Sequence, residues 1–569
     1  MRYLIKILGL ILVICFYNNA IGQIHNENYS KERMYLQTDK TTYLAGELSW
    51  FKIYNTDAFT NSPSEISKIA YIELLDNNNT SVLQEKIALH GGTGNGSLFF
   101  PKNLTSGTYI LRAYSNWMKN EGEAVFFEKP ISIYNTKMGV EANNSWRLKK
   151  QENNYSKNEG LQIDLILNKT YSTRDKIAIV LNVQDQSGKP TAANLSMSVY
   201  KIDGLQEVDS LNITNYLSQP SNTVVESIKF LPEYTGHLIT GTILNSTTQK
   251  PISEAFVYCS VPGTNTQFKT SLSDRNGNFK FEMPNLYNEG KIIVQADNEY
   301  SQISKIIIDN PFLNRTKINS LLIGDSISKA LLLDRHINIE VQDYFTKAKQ
   351  VSLRTYNFDT SSFYYKADRT YLLDNFVRFS TLEEVVREYV TPISLTKNKG
   401  VFVMNVYDEE QKQFFENTPL VMLNGVPIFN VNKLMEYDPL RIKKLDVIMR
   451  TYYYGNTSFS GVINFITYDG KIEDETLIPT SSIFDYDGLQ KERNFYTPIY
   501  ESTEQKETSL PDFRTTLQWI PNIDIPASGS KTLTIFSSDI PGKYIISIQG
   551  INNEGKTGSS LIPFEVKTK

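Results

Sequence analysis

Few residues of this chain have the types and the spacing that chemistry requires. Four His and two Cys leave little material for a His/Cys metal site. Cys259 could act as a nucleophile, but it lies in the apolar run Phe256–Val261 and no His accompanies it in sequence. We therefore favour a buried thiol, while pairing with a side chain that is distant in sequence stays open.

Carboxylate clusters offer acid/base chemistry or cation binding. Glu383, Glu384 and Glu388 could be general acids or bases, but their pattern favours a solvated helix face. Asp408–Glu410 could hold a cation, and we favour a turn between strands. Asp274–Asn278 is similar to a calcium loop, yet the distal Glu is wrongly placed, so a hairpin turn is predicted.

Two further motifs could bind ligands. The Gly-rich stretch His90–Gly96 could cradle a phosphate, but no Lys-Ser or Lys-Thr follows it, and we favour a hairpin between strands. Tyr452–Tyr454 could form a carbohydrate or partner platform, and we favour alternating strand packing with one ring exposed. We therefore predict no catalytic, cofactor-binding or metal-ligating residue, no cofactor and no enzyme.

The elements that position these residues are predicted to be strands for the most part. Apolar and polar residues alternate in short runs between polar turns, which favours antiparallel sandwiches. Helical periodicity is rarer, and a helix is predicted at Thr381–Tyr389, where Thr381 and Glu384 form a capping box. Examples of predicted strands are Ile69–Leu75, Tyr109–Tyr114, Gln162–Leu167 and Lys176–Val183.

The length and the charge of the chain bound its class. At 569 residues it should form about four domains. Its 58 Lys and Arg against 62 Asp and Glu give a formal charge of −4, which supplies no basic footprint for nucleic acid. No run after the N-terminal leader is long and apolar enough for a transmembrane helix, so none is predicted in the mature chain.

The N-terminus has the pattern of a targeting segment. A positive start precedes the apolar run Leu8–Phe16 and the small-residue pattern Ala20–Gly22, which predicts a secretory signal peptide over residues 1–22. Lipidation at Cys15 is the alternative, although Ile14 stands where a small residue is expected. We therefore expect export across the inner membrane, to the periplasm or to the outer membrane and cell surface.

Two segments resemble the macroglobulin domains of the alpha-2-macroglobulin family. Tyr35–Glu47 is similar to the opening of such a domain, and Gly107–Tyr114 resembles its later "GxYxLRAY" strand. A similar unit begins at Asn168–Lys176. The Cys-Gly-Glu-Gln thioester segment of protease-trapping macroglobulins is missing, so covalent trapping is not expected.

Two further segments resemble other families. Gly241–Phe279 looks like a carboxypeptidase regulatory-like domain, with Ser273 in place of the usual Thr. Pro419–Ile428 and Gly461–Thr467 resemble the plug domain of TonB-dependent receptors, with Asn424 in place of Asp. The plug family's Gly-Pro before Tyr-Gly is absent here. Only 99 residues follow Gly470, whereas a 22-stranded barrel needs roughly 220, so we expect a plug-like domain without a barrel.

The resemblances imply a mainly β protein of tandem antiparallel immunoglobulin- or macroglobulin-like sandwiches with a small α+β plug-like domain, as in exported modular proteins of the Bacteroidota. The predicted organisation is a signal peptide (1–22), a macroglobulin-like sandwich (30–140), a second one (158–232), a carboxypeptidase regulatory-like sandwich (233–310), a β segment of no assigned family (311–370), a plug-like domain (371–471), a linker (472–510) and a C-terminal sandwich (511–569).

The function that this resemblance implies is binding and not catalysis. We expect an outer-membrane-associated accessory component that docks on other envelope proteins, with a β-barrel of a TonB-dependent transport or secretion system as one candidate partner. Peripheral association with the membrane is open. The alternative is a macroglobulin-like protease-binding or defence protein without a thioester. This functional expectation rests on fold analogy.

Overall fold

The computed structural model describes residues 29–137, 160–206, 208–209, 211–219, 223, 225, 227–263, 267–287, 289–313, 329–350, 352–354, 362–472 and 478–569. The predicted signal peptide and the lipidation alternative lie outside these residues. Within them the fold is mainly β, as predicted, and antiparallel strand pairs predominate. None of the described helices is both long enough and apolar enough to cross a membrane.

Two facing sheets form the first sandwich. It consists of β1 (Glu32–Thr38), β2 (Thr42–Leu44), β3 (Leu48–Asp57), β4 (Ile69–Leu75), β5 (Ser81–Ala88), β6 (Thr93–Phe99), β7 (Gly107–Tyr114) and β8 (Phe127–Tyr134). The strand orders are β1-β3-β6 and β2-β8-β7-β4-β5. Short 3-10 turns at Trp117–Asn120 and Glu123–Val125 connect the last two strands.

The macroglobulin-like signature is a hydrogen-bonded corner of this sandwich. The Tyr43 ring is fully buried, and its hydroxyl donates to Asp39 Oδ1 at 2.8 Å. Lys40 Nζ donates to Glu47 Oε1 at 2.5 Å, and Gly46 has a φ of 102°. Tyr43 therefore faces the core, and Gly46 permits the turn into β3.

The next unit is a small sandwich, preceded by α1 (Ile213–Leu217). It consists of β13 (His237–Asn245), β14 (Phe256–Val261), β15 (Gln267–Leu272), β16 (Asn278–Met283), β17 (Glu289–Ala296) and β18 (Ser304–Ile308). Four earlier strands belong to a different unit, which is described below. They are β9 (Gln162–Ile166), β10 (Thr170–Ser172), β11 (Lys176–Gln184) and β12 (Ala193–Lys201). One sheet has the order β16-β13-β18, and the other contains β15-β14-β17.

A helix occupies part of the segment 311–370, which was predicted to be β. Helix α2 (Lys329–Gln350) is the longest among the described residues. The β expectation is wrong there, because the alternation around Ile337 imitates a strand while Ile337 itself is 51% exposed. The side chains of this helix that pack against the rest of the protein recur at a helical spacing. They are Leu332, Arg335, Ile339 and Gln342.

The mixed-sheet unit follows. It consists of β19 (Arg369–Leu372), α3 (Leu382–Tyr389), β20 (Ile393–Asn398), β21 (Val401–Asp408), β22 (Gln413–Phe414), β23 (Leu420–Leu423), β24 (Val426–Pro427), α4 (Val431–Met435), β25 (Ile442–Tyr454) and β26 (Thr457–Thr467), with 3-10 turns at Leu373–Asn375 and Pro439–Arg441. Its main sheet has the order β19-β25-β26-β23-β24, in which β23 runs parallel to β26. The capping box of α3 is present as predicted, and its apolar face packs into the core of this unit.

An extended segment then crosses the other units; we call residues 478–515 the strap. It contains β27 (Ser482–Asp487), which pairs antiparallel with β17, and α5 (Thr503–Lys506). Gln490 exchanges two hydrogen bonds of 2.8 Å with the backbone of Ser97 in the first sandwich. The segment 472–510, which was expected to be a linker, is therefore attached to the small sandwich and to the first sandwich by backbone and amide hydrogen bonds. The composition of the segment does not reveal such hydrogen bonds.

The last four strands return to β9–β12. They are β28 (Thr516–Ile525), β29 (Ser530–Phe536), β30 (Gly542–Ile551) and β31 (Thr557–Lys567). The resulting sheets have the orders β10-β31-β30-β12-β28 and β29-β11-β9 and share one core. We call this unit the composite sandwich. The segments 158–232 and 511–569, which were expected as two sandwiches, therefore contribute to a single one.

The composite sandwich covers the outer face of the first sandwich. The Tyr35 hydroxyl donates to Gln549 Oε1 at 2.7 Å, and the Tyr54 hydroxyl lies 2.6 Å from Ser196 Oγ. Together with α1, whose Leu217 carbonyl accepts Arg33 Nη1 at 3.1 Å, this contact explains why every residue of β1 is buried although a strand in a sandwich usually buries only one face.

Candidate functional site

Cys259 lies on β14 with no exposed surface. Burial raises the pKa of its thiol to about 12, so the thiolate that would act as a nucleophile is scarce at neutral pH. The thiol belongs to the apolar core of the small sandwich. The prediction of a buried thiol is confirmed.

The carboxylate clusters also have structural roles. Glu384 is exposed on α3 and its Oε2 accepts the Thr381 hydroxyl at 2.7 Å; this hydrogen bond lowers the pKa of Glu384. Glu388 is exposed on the same helix. Asp408 Oδ1 accepts the backbone N–H of Glu410 at 2.9 Å. The predictions of a solvated helix face and of a turn are confirmed.

The two glycine-containing loops are turns between strands, but the prediction that they are hairpins is wrong. His90 and Thr93 exchange backbone hydrogen bonds of 2.7 and 3.1 Å between β5 and β6. Asp274 Oδ1 accepts the N–H groups of Asn276 and Asn278, each at 2.8 Å, between β15 and β16. Each turn joins strands of the two opposite sheets, whereas a hairpin would have joined neighbours within one sheet.

The three consecutive tyrosines alternate as predicted. Tyr453 is 78% exposed. The Tyr452 hydroxyl donates to the carbonyl of Phe363 at 2.8 Å, and the Tyr454 hydroxyl donates to the carbonyl of Phe268 at 2.7 Å. Because Phe268 lies on β15, Tyr454 ties the mixed-sheet unit to the small sandwich.

A hairpin of the mixed-sheet unit is seated on the small sandwich. Asn424 and Gly425 have φ values of 50° and 73°, as expected for an Asn-Gly turn between β23 and β24. The Ser260 hydroxyl donates to the carbonyl of Gly425 at 3.0 Å, and Gln295 Nε2 donates to the carbonyl of Pro427 at 3.2 Å. Buried side chains of the small sandwich therefore fix this hairpin in place.

Beside this hairpin, a cleft of about 780 Å³ opens between the two units. The small sandwich contributes Tyr258 of β14, the end of β17 and the loop that follows β17. The mixed-sheet unit contributes β21, β23, α4 and the segment before it, and the strap contributes its first residues. We call it the inter-unit cleft, and its principal side chains are Tyr258, Gln295, Asp297, Glu299, Phe402, Phe429, Asn432, Phe459 and Ile478.

Aromatic rings form one wall of the cleft. The ring centroids of Phe429 and Phe459 each lie 6.4 Å from that of Tyr258. Both phenylalanines are half-buried, so each presents part of its ring to the cleft. Such rings offer apolar contact area and can face a cation.

Polar groups form the opposite part of the lining. Asp297 accepts backbone N–H groups of Phe256 and Tyr300 at 3.2 Å each, and burial raises the pKa of its carboxyl group. Glu299 is exposed at the rim. At the far end, Asn432 accepts the N–H of Phe402 at 2.7 Å, and this contact fixes the end of β21.

The lining consists of groups that can bind a ligand. Within the described residues, no three His, Cys, Asp or Glu side chains converge as a metal site would require. The cleft side chains named above include no Ser–His or Cys–His arrangement that could activate a nucleophile. What the cleft offers is apolar contact, hydrogen-bond acceptors and negative charge.

Comparison with known proteins places the chain only loosely. No protein-family model matches it, and no curated protein matches it significantly. The resemblances to the carboxypeptidase regulatory-like and receptor plug families, and to proteins of the Bacteroidota, therefore stay predictions.

Among solved structures, the chain is similar to bacterial alpha-2-macroglobulins. It matches Salmonella alpha-2-macroglobulin reacted with methylamine at 10% identity and a TM-score of 0.25, over 95% of this chain and 40% of that one. It matches Escherichia coli alpha-2-macroglobulin activated by porcine elastase at 8% identity and a TM-score of 0.25, over 95% of this chain and 44% of that one. The chain thus spans less than half the length of these proteins, and a likeness this loose establishes neither a shared domain arrangement nor a function.

Sequence reasoning missed the inter-unit cleft. Its lining comes from segments as far apart as Tyr258 and Ile478, and no local motif joins them. One signal was available: Gln295 and Asp297 are polar residues at the end of the apolar run that forms β17. Such residues at a strand end mark a place where the sheet meets solvent or a neighbouring unit.

Proposed function

We propose that this protein is a non-enzymatic modular binding protein of the cell envelope, which docks on other envelope proteins through the inter-unit cleft. The observation that carries the proposal is the cleft itself, an aromatic space of about 780 Å³ between two units. Concave sites of this size with apolar walls and a few polar groups are where proteins bind ligands and anchor residues of partners.

The walls of the cleft are preorganised, which favours binding. Ser260 and Gln295 hold the hairpin that borders the cleft, and Asn432 holds the end of β21. A partner that enters the cleft does not have to order these walls, so less conformational entropy opposes the association.

The envelope location is supported by the sequence of residues 1–22, which has the pattern of a secretory signal peptide. N-terminal sequencing of the protein recovered from its native cells tests this part. We expect the mature chain to begin at or near Gln23, and a retained Met1 would contradict export through a cleaved leader.

Affinity recovery from solubilised membranes tests the docking function. Tagged mature protein should recover an outer-membrane β-barrel or another envelope protein, and Phe459→Ser, which removes an aromatic wall of the cleft, should abolish that recovery. Phe59→Ser is the matched control, because Phe59 is 71% exposed on the first sandwich and lies away from the cleft. Equal recovery by both variants would show that the cleft is not the docking site.

Protease binding is the second candidate function. It is favoured by the macroglobulin-like signature at Tyr35–Glu47, which forms the hydrogen-bonded corner of the first sandwich. Recovery of proteases in the same experiment, independent of Phe459, would support this candidate and exclude the cleft-based one.

A further inference from the structure

The charge of the inter-unit cleft has one sign. Among the described residues, Asp297 and Glu299 are the acidic members of its lining, and no Lys, Arg or His belongs to it. Lys397 approaches only the rim, where its Nζ lies 4.4 Å from the centroid of the Phe402 ring. A negative site with apolar walls attracts a cation that also carries apolar surface.

A buried acceptor in the lining has no partner. Gln295 is 1% exposed, and its Nε2 donates to the carbonyl of Pro427, while its Oε1 has no hydrogen-bond partner among the described residues. Buried polar atoms are nearly always paired, and each exception requires a reason. Because Gln295 lines the cleft, a donor that a ligand carries into the cleft would satisfy this oxygen.

The aromatic wall favours the same kind of ligand. Tyr258, Phe429 and Phe459 present rings on one side of the cleft, and ring faces attract ammonium and guanidinium groups. The methylene groups of a long basic side chain would pack on these rings while its charged end reaches the polar wall.

We propose that the inter-unit cleft binds a Lys or Arg side chain of a partner protein together with an apolar residue beside it. Asp297 and Glu299 pair with the charge, Gln295 Oε1 accepts one N–H, and the rings of Phe429 and Phe459 contact the apolar residue. This inference rests on the proposed function, because it names the chemistry by which the cleft recognises its partner.

Binding of a short peptide to the full mature chain tests this chemistry. The probe is a fluorescent, end-blocked pentapeptide with lysine between two phenylalanines, and its counterpart carries norleucine, which has similar length and no charge. We expect the norleucine peptide to bind at least about tenfold more weakly, since a charge-assisted hydrogen bond is lost. Affinity for the lysine peptide should also fall as salt rises. Equal affinity for the two peptides would overturn the proposal.

Variants then assign the binding to the cleft. Glu299→Gln removes an exposed rim charge, and Gln295→Met keeps the length of the side chain but removes the acceptor together with the Nε2 donor to Pro427; each should weaken binding of the lysine peptide several-fold. Glu554→Gln is the control, because Glu554 is exposed at a turn of the composite sandwich. If Gln295→Met does not fold, Glu299→Gln alone decides, and an unchanged affinity there contradicts the proposal.

The two levels of the proposal fail in different ways. If an envelope partner is recovered through Phe459 while neither peptide binds, the docking function stands and the basic-residue chemistry is wrong. If the lysine peptide binds through Glu299 but no envelope protein is recovered, the chemistry stands and the envelope function is wrong.

Discussion

Asn424 supports the hairpin that borders the inter-unit cleft, and its replacement should destabilise the mixed-sheet unit. Its side chain is buried, and its Oδ1 accepts the N–H of Thr467 at 2.8 Å. Its Nδ2 donates to Thr467 Oγ1 at 2.9 Å and to the carbonyl of Lys471 at 2.8 Å. Its backbone has a φ of 50°, where Asn is tolerated and Ala is strained.

The two effects can be estimated separately. Asn424→Gly keeps a residue that accepts positive φ but leaves the buried N–H of Thr467 without an acceptor, which costs about 1–3 kcal/mol. Asn424→Ala loses the same acceptor and adds the strain of the left-handed region, about 1–2 kcal/mol more. We therefore expect Asn424→Ala to lower the free energy of unfolding of this unit by about 2–5 kcal/mol.

Hydrogen exchange measured by mass spectrometry, combined with urea denaturation, is the suitable assay, because it reports the opening of one unit in a large chain. Exchange should accelerate across β26 in the order wild type, Asn424→Gly, Asn424→Ala, while β11 in the composite sandwich stays unchanged. If Gly and Ala variants exchange equally, the backbone term is refuted. If neither differs from wild type, the hydrogen bonds of Asn424 do not support the hairpin.

Three further outcomes are expected. Cys259→Ala should leave partner binding intact and cost on the order of 1 kcal/mol, and the native thiol should resist labelling at pH 8; rapid labelling would contradict the buried assignment. Burial lowers the pKa of His237, so the unfolded chain protonates this imidazole at a higher pH than the folded chain does, and the free energy of unfolding should fall as the pH drops below about 6.5. The urea midpoint of His237→Gln should depend less on pH in this range than that of the wild type, and an equal dependence would show that His237 is not responsible. Arg514→Ala should lower the free energy of unfolding, measured by heat or urea, by about 3–5 kcal/mol, because the buried carboxylate of Asp512, 2% exposed, loses its paired charge. Arg369→Ala, at an exposed position, should lower it by less than about 1 kcal/mol, and similar losses for the two variants would refute the reasoning.

Local features of the fold followed from the sequence, because local interactions determine them. The helix at Leu382–Tyr389 begins at its predicted capping box, the strand Ile69–Leu75 has its predicted bounds, and the Asn-Gly pair Asn424–Gly425 adopts the positive φ values that this dipeptide favours. In each case a few neighbouring side chains or a backbone preference determine the conformation.

Long-range pairing did not follow from the sequence. The strand Ser482–Asp487 joins the small sandwich through its backbone, and backbone hydrogen bonds leave little mark on composition. In the same way, the alternation of apolar and polar residues around Ile337 would suit a strand, and only contacts with residues distant in sequence favour the helix that forms there. The inter-unit cleft likewise depends on contacts between segments that are distant in sequence, which explains why no residue of its lining was predicted as a site.

The pairing in the composite sandwich dictates the order in which the chain can fold. The central strand β12 pairs with β28 and β30, and more than half of the chain separates Asn194 from its partner Ile551. During synthesis the ribosome releases β9–β12 long before these partners exist, so their apolar faces remain without a core until residue 567 has been made. Closing a loop of this length is slow, and a nascent chain must meanwhile be protected from aggregation. The first sandwich, whose outer face is covered by the same sheet, reaches its final burial only after that late step.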